Sequence, residues 1–205
     1  MKLYYSPGAC SLSPHIALRE AGLSFTPVRV DLRRRQTADG QPLEAINPKG
    51  YVPVLEFDDG QRLTEGIAIV LWIADQVPER RLAPPPGEFA RYRLLEWLSF
   101  ISTELHKAFS PLFDPQAPEA TKERQRQRIA QRLDFVAQAL ADRPYLLEQG
   151  FTVADGYLFT VLGWGQYVGF DLSPWPVLTA YRVRIAERPA VREALKAEGL
   201  LKEAA

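Results

Sequence analysis

Apolar residues along this chain keep two different periods, and the change from one to the other falls near residue 77. Before it the apolar runs are short and broken by turn residues. Lys2 to Tyr5 (KLYY) predicts a short strand, and Ser11 to Ala21 predicts a helix closed by Gly22, a residue suited to the left-handed position after a helix end. In Ser24 to Asp31 (SFTPVRVD), Phe25, Val28 and Val30 alternate loosely, so a second strand is expected, with Pro27 placing it at a sheet edge. Strand, helix and strand on short connections imply a right-handed crossover and a parallel pair. The polar stretch RRRQTADGQPLEAINPKG, punctuated by Gly40, Pro42, Pro48 and Gly50, reads as loop with room for one helical turn. Tyr51 to Phe57 and Gln61 to Thr64, joined by Asp58-Asp59-Gly60, predict a β-hairpin, because Asp-Gly supports the tight turn. Pro53 is out of place in that hairpin, since it removes a ladder donor where the pattern is most strand-like. After Thr64-Glu65-Gly66 the run IAIVLWIA predicts a largely buried helix that continues to Gln76 and is stopped by Pro78.

Beyond a stiff connection containing Pro84-Pro85-Pro86-Gly87, every periodic segment is helical. Leu94, Trp97, Leu98, Ile101, Leu105 and Phe109 recur at three and four, and Ile129, Leu133, Val136 and Leu140 repeat that spacing. Thr152-Val153-Ala154-Asp155 reads as a capping box opening an aromatic helix with Tyr157, Leu158, Val161, Leu162 and Trp164, whose rings read as core. Gly163 and Gly165 inside it imply close packing, since glycine weakens a helix by about 1 kcal/mol relative to alanine. Two more helices are expected at Tyr181 to Glu187 and Ala190 to Glu198. The expected organisation is an α/β domain over residues 1–77, a linker over 78–88 and an all-helical domain over 89–205.

Composition narrows the function classes. Of 205 residues 46% are hydrophobic and 24% charged, with Lys+Arg and Asp+Glu balanced at 25 each, which gives no electrostatic case for nucleic acid or acidic membranes. The start MKLYYSPGAC has no apolar core of a signal peptide and no run approaches a membrane span, so a cytoplasmic protein is expected. The single cysteine excludes an internal disulfide and a cysteine-rich zinc site. That cysteine, Cys10, follows a Ser-Pro-Gly turn at the start of the first helix, where free N–H groups and the positive end of the helix dipole favour a thiolate. Of the two histidines, His15 reads as structural. His106 lies on a polar stripe with Ser99, Ser102, Thr103 and Ser110 at helical spacing, next to the cationic Lys107. The run KERQRQR at Lys122 to Arg128 reads as a solvated helix face. Phosphate loops, metal-ligand clusters and serine nucleophile elbows are absent from the sequence.

Six short motifs, Tyr5-Ser6-Pro7-Gly8-Ala9-Cys10-Ser11, Asn47-Pro48-Lys49-Gly50, Val52-Pro53-Val54-Leu55, Leu63-Thr64-Glu65, His106-Lys107 and Phe151-Thr152-Val153-Ala154-Asp155, occur in this order. In these the chain resembles the bacterial cytosolic glutathione transferases, most closely their beta class, over essentially its whole length. The resemblance implies a thioredoxin-like N-terminal domain (βαβ-ββα) and an all-α C-terminal domain that supplies the electrophile site. It implies an enzyme of detoxification that joins the sulfur of glutathione, its co-substrate, to small hydrophobic electrophiles, works as a homodimer and needs no metal. Thiol-disulfide exchange through Cys10, or non-catalytic carriage of apolar ligands, are the other functions such a chain admits.

Site residues follow from the same resemblance. Cys10, His106 and the hydroxyls of Tyr5 and Ser11 are expected around the reacting sulfur. Pro53 is expected after a cis peptide bond, leaving the Val52 backbone to pair with the cysteinyl part of glutathione like an added strand. Glu65 is expected to take the γ-glutamyl ammonium, the amides from Gly66 its carboxylate, and Arg35 the glycyl carboxylate. Ser99, Thr103, Glu104, His106 and Lys107 complete the glutathione-binding set. The chain departs from the family pattern in having Gly66 where a serine is usual, Ser99 where asparagine is common, Arg35 where lysine is common and Gly156 where alanine is usual.

Overall fold

The computed structural model describes residues 1–201, so the last four residues of the expected helical domain lie outside the described part. The chain forms two compact units, one of Met1–Ala83 together with the chain from Glu187, the other of Pro84–Ala186. The two units divide after Ala83. The return of the C-terminal helix to the first unit departs from the expected 89–205 domain. Helical periodicity announces that helix but says nothing about which unit it packs on.

The first unit is built on a sheet of order β3-β2-β1-β4-β5. Strand β1 (Lys2–Tyr5) runs parallel to β2 (Thr26–Asp31), and the intervening helix α1 (Leu12–Ala21) ends at Gly22 with φ 69°, as the sequence implies. The short β3 (Gln36–Thr37) pairs with Val30 and Asp31 of β2, with a single bridge from Gln36 to Pro42 on its other side, and is not foreseen by any apolar alternation. It removes β2 from the edge, yet the part of β2 that holds Pro27 still has a strand on one side only. One helical turn, α2 (Leu43–Ile46), breaks the polar loop. The hairpin of β4 (Val54–Glu56) and β5 (Arg62–Thr64) is antiparallel with Leu55 opposite Leu63. Tyr51, Val52 and Pro53 lie outside β4, and the Val52-Pro53 bond is cis. Proline therefore takes no ladder position, which resolves its apparent misfit.

Strand pleating sends alternate residues to opposite faces. Tyr4, Val30 and Val54 meet Leu43, Ile46 and Val52 in one cluster on one face. Leu3 and Leu55, paired across β1 and β4 and both fully buried, point the other way, toward the layer of α1 and α3 (Gly66–Gln76). A short 3-10 turn, Pro78–Arg80, ends α3. Helix α10 (Pro189–Ala197) packs on α1 with Val191 and Ala194 buried.

The second unit is helical. Helix α4 (Phe89–Phe100) continues through a wide π turn, Ile101–His106, into α5 (Lys107–Phe113), the Lys107 N–H reaching back to the Ser102 carbonyl. Spacing alone conceals this widening, because Leu94, Leu98, Ile101, Leu105 and Phe109 all stay buried. Helix α6 (Glu119–Ala139) buries Ile129, Leu133 and Val136. Helix α7 (Val153–Gly163) is buried along ten consecutive positions from Val153 to Leu162, which identifies it as the centre of the unit. After Trp164 comes a one-turn α8 (Gly165–Val168), where a Cβ on Gly165 would lie 2.7 Å from the Phe170 carbonyl oxygen. That backbone approach is the close packing expected at Gly165, whereas at Gly163 only the end of the Arg182 side chain comes within 3.6 Å. Helix α9 (Pro176–Ala186) starts earlier than the expected Tyr181. Among the described residues no helix is long and apolar enough to cross a membrane.

Candidate functional site

The loop from β1 to α1 is closed by a small set of polar contacts. Ser11 Oγ donates to the Ser6 carbonyl at 3.2 Å and accepts the Ser6 N–H at 3.1 Å, while the Ala9 N–H turns back to Ser6 O at 3.0 Å. Ser11 is fully buried, and its hydroxyl is engaged in shaping the loop. Tyr5 is 7% exposed with its ring 5.6 Å from that of His15, and burial pushes its phenol above the usual value. It too belongs to the core beneath the loop.

His15 is the centre of a buried polar chain. Its Nδ1 lies 2.8 Å from Glu198 Oε1, and its Nε2 accepts from Arg19 Nε at 3.1 Å, so the Nδ1 proton goes to the carboxylate. The other Glu198 oxygen accepts the Gly8 N–H at 2.9 Å. An acid after α10 thereby holds the loop two residues from Cys10, a contact no local sequence signal announces. The structural reading of His15 agrees with this geometry.

Cys10 itself is half-buried, and its Sγ–H donates to the Val52 carbonyl at 3.4 Å. Residues far apart in sequence meet there, since Val52 precedes the cis proline and the Pro53 ring lies against the start of α3, its Cγ 4.0 Å from where a Gly66 Cβ would stand. The first turn of α3 has no side-chain cap. Its leading amides are the donors a carboxylate group would use. Glu65, immediately before them, holds φ 66°, a backbone conformation that is costly for a non-glycine residue. Its carboxylate accepts from Lys49 Nζ at 2.6 Å and Tyr51 Oη at 2.7 Å, which raises the pKa of both donors. No local pattern marks either partner as a ligand of Glu65. The Asn47-Pro48-Lys49-Gly50 turn is the sequence signal that bears on them, with Asn47 bonding the Lys49 N–H and the Tyr51 carbonyl to set its shape. Arg35, at φ 57°, lays its guanidinium over Gly50 and pairs with Glu44, its Nε 2.6 Å from Oε1. A side chain at Gly50 would fill that space.

In the helical unit the expected residues separate. Ser99 and Thr103 are exposed, and the Thr103 hydroxyl donates to the Ser99 carbonyl at 3.0 Å. Glu104 turns to α6, where Arg128 and Arg132 at 3.0 and 2.9 Å hold its carboxyl below the usual value. His106 instead meets α7, its Nδ1 2.6 Å from Tyr157 Oη and its ring edge-on to Trp164 at 4.7 Å. Burial first, and the Lys107 charge second, pull its imidazole from 6.5 to about 4. Tyr157 is core, as the sequence implies, at 6% exposure, and since a buried phenol needs a partner, His106 supplies it.

Two family models match the chain, "Glutathione S-transferase, N-terminal domain" over residues 8–76 and "Glutathione S-transferase, C-terminal domain" over residues 100–189. The chain belongs to the glutathione S-transferase family. Across 98% of its length it is 50% identical to glutathione S-transferase GstA of Escherichia coli O157:H7, all of which is covered. Among solved structures, the ternary complex of the bacterial glutathione S-transferase BphK shares 60% identity at TM-score 0.96, covering 98% of this chain and all of that one. A sphingomonad glutathione S-transferase complexed with glutathione shares 50% identity at TM-score 0.94 with the same coverage. A bacterial beta-class glutathione S-transferase from Sphingomonas chungbukensis shares 49% at TM-score 0.95, covering 98% of this chain and all of that one. The family fold accounts for both units as found, a thioredoxin-like mixed sheet with its helices and a helical partner.

Proposed function

We propose that this glutathione S-transferase joins the thiolate of glutathione to a small hydrophobic electrophile, with the Cys10 loop, Val52-Pro53 and Glu65 forming the glutathione site. The observation that carries this is the meeting of the Cys10 thiol with the Val52 carbonyl at 3.4 Å beside the cis Pro53. A cysteinyl N–H of glutathione would take over that carbonyl, adding a strand-like partner to an edge that proline leaves open. Glu65, already serving one ammonium from Lys49, would serve the γ-glutamyl ammonium, and the uncapped amides from Gly66 the adjoining carboxylate. Arg35 would exchange Glu44 for the glycyl carboxylate. Of the helical unit, Ser99, Thr103, Glu104, His106 and Lys107 are the residues we assign to glutathione. In the reaction the thiol proton leaves, the sulfur forms a bond to carbon, and the leaving group departs with its electron pair.

Glutathione with a chlorodinitrobenzene electrophile tests this. Wild-type turnover that persists in Cys10→Ala within about tenfold is expected, because the reacting sulfur is that of glutathione. Loss of conjugation in Cys10→Ala, together with wild-type reduction of a mixed glutathione disulfide, would shift the function to thiol-disulfide exchange. No turnover in either assay would leave a carrier of apolar ligands. We also place the enzyme in the cytoplasm, as a homodimer. Phe89 and Tyr92 on α4 and Phe135 on α6, 72, 60 and 50% exposed, offer the apolar surface a second copy would cover. Light scattering that shows a monomer at micromolar concentration would reject the dimer.

A further inference from the structure

The imidazole of His106 is held on two sides by residues that cannot easily move. Tyr157 on α7 and Trp164 just after it are each 6% exposed, and Trp164 is itself wedged edge-on by Phe109 and Phe113. The Tyr157 ring stands at 86° to the imidazole, with the oxygen aimed at Nδ1. Because burial keeps the ring neutral, it carries a single proton on one of its two nitrogens. Which nitrogen decides its chemistry. A protonated Nε2 can only donate, and a bare Nε2 can only accept.

Between a phenol and a neutral imidazole the phenol is by far the stronger acid, so the O–H donates and the ring nitrogen accepts. The separation agrees, since 2.6 Å suits an O–H donor and lies under the roughly 2.7–3.2 Å spanned by N–H donors to oxygen. We propose that Tyr157 is a positioning residue for His106, its O–H donating to Nδ1 and thereby fixing the imidazole proton on Nε2. The Nε2–H so fixed is a neutral donor that can steady a thiolate but cannot take up its proton, which passes to water. This rests on the proposed place of His106 at the glutathione thiol.

Nitrogen-15 spectra of the two histidines in the full chain, assigned with His106→Gln, read the tautomer directly. An acceptor-type Nδ1 and a protonated Nε2 for His106 are expected at neutral pH, with a mixture of tautomers in Tyr157→Phe. A protonated Nδ1 in the wild type, or a spectrum unchanged by Tyr157→Phe, overturns the proposal. In conjugation assays Tyr157→Phe is expected to lower kcat by about threefold to tenfold with the KM for glutathione within about twofold, the loss of one oriented hydrogen bond. Its rate should also need a higher pH to reach its plateau, which a merely structural loss would not produce. A His106→Gln variant that conjugates at the wild-type rate overturns the place of His106 itself, and the spectrum separates that failure from a wrong tautomer.

Discussion

Asp155→Ala is expected to lower the stability of the helical unit by about 3–5 kcal/mol, seen as a thermal midpoint lower by roughly 10 °C or more. Asp155 is completely buried at the start of α7, where burial pushes its carboxyl up and a set of donors pulls against that. One oxygen accepts the Leu146 N–H at 3.0 Å and the Tyr181 O–H at 2.9 Å. The other accepts the Thr152 N–H at 2.8 Å and its hydroxyl at 3.0 Å. Alanine would orphan all of these in the interior, each at a cost comparable to burying an unpaired polar group. Asparagine keeps one accepting side but turns its own N–H groups toward the other, so Asp155→Asn should fall between the two. A thermal midpoint for Asp155→Ala within about 2 °C of wild type, by circular dichroism, would refute this reading of α7 as the centre of the unit.

Glu65→Gln is expected to raise the KM for glutathione by roughly ten- to a hundred-fold, with a smaller change in kcat at saturation. Glutamine keeps the shape and one accepting oxygen but loses the charge, so what disappears is the charge-assisted part of the contact with an ammonium. Stability should hardly change, because Glu65 and Lys49 are half-exposed, at 56 and 48%, and an exposed pair contributes little to folding. The split between affinity and stability is the measurement. An unchanged KM would remove Glu65 from the glutathione site, and a large fall in the thermal midpoint would make it a structural residue instead.

Local pattern made most elements legible, and where it failed the reason was distance. The period-2 and period-3.6 runs place β1, α1, the hairpin and the amphipathic helices within a few residues, and Thr152 and Asp155 announce the α7 cap that the structure shows. Strand β3 is two residues long and polar, so no alternation can reveal it. The π turn at Ile101–His106 is hidden because a single widened turn leaves the apolar spacing intact. At the candidate site, Cys10 and Val52-Pro53 are visible as residue types, whereas the Lys49 and Tyr51 partners of Glu65 depend on how the loop before β4 is folded. Glu104 and His106 stand two positions apart and so on different sides of the helix, and accordingly one turns to Arg128 and Arg132 of α6 and the other to Tyr157 of α7. The partner each side meets is set by packing between helices, which local spacing does not encode.

The pairing of Gly8 and His15 with Glu198 has a consequence for how the protein is made. Those contacts span 190 and 183 residues, among the longest closures the chain contains. Closing so long a loop is entropically costly and late. During synthesis the sheet can pair as soon as β5 leaves the ribosome, but α10 and Glu198 emerge only after the entire helical unit. The loop that carries Cys10 therefore receives its anchoring carboxylate last, so the first unit to begin folding is the last to be completed.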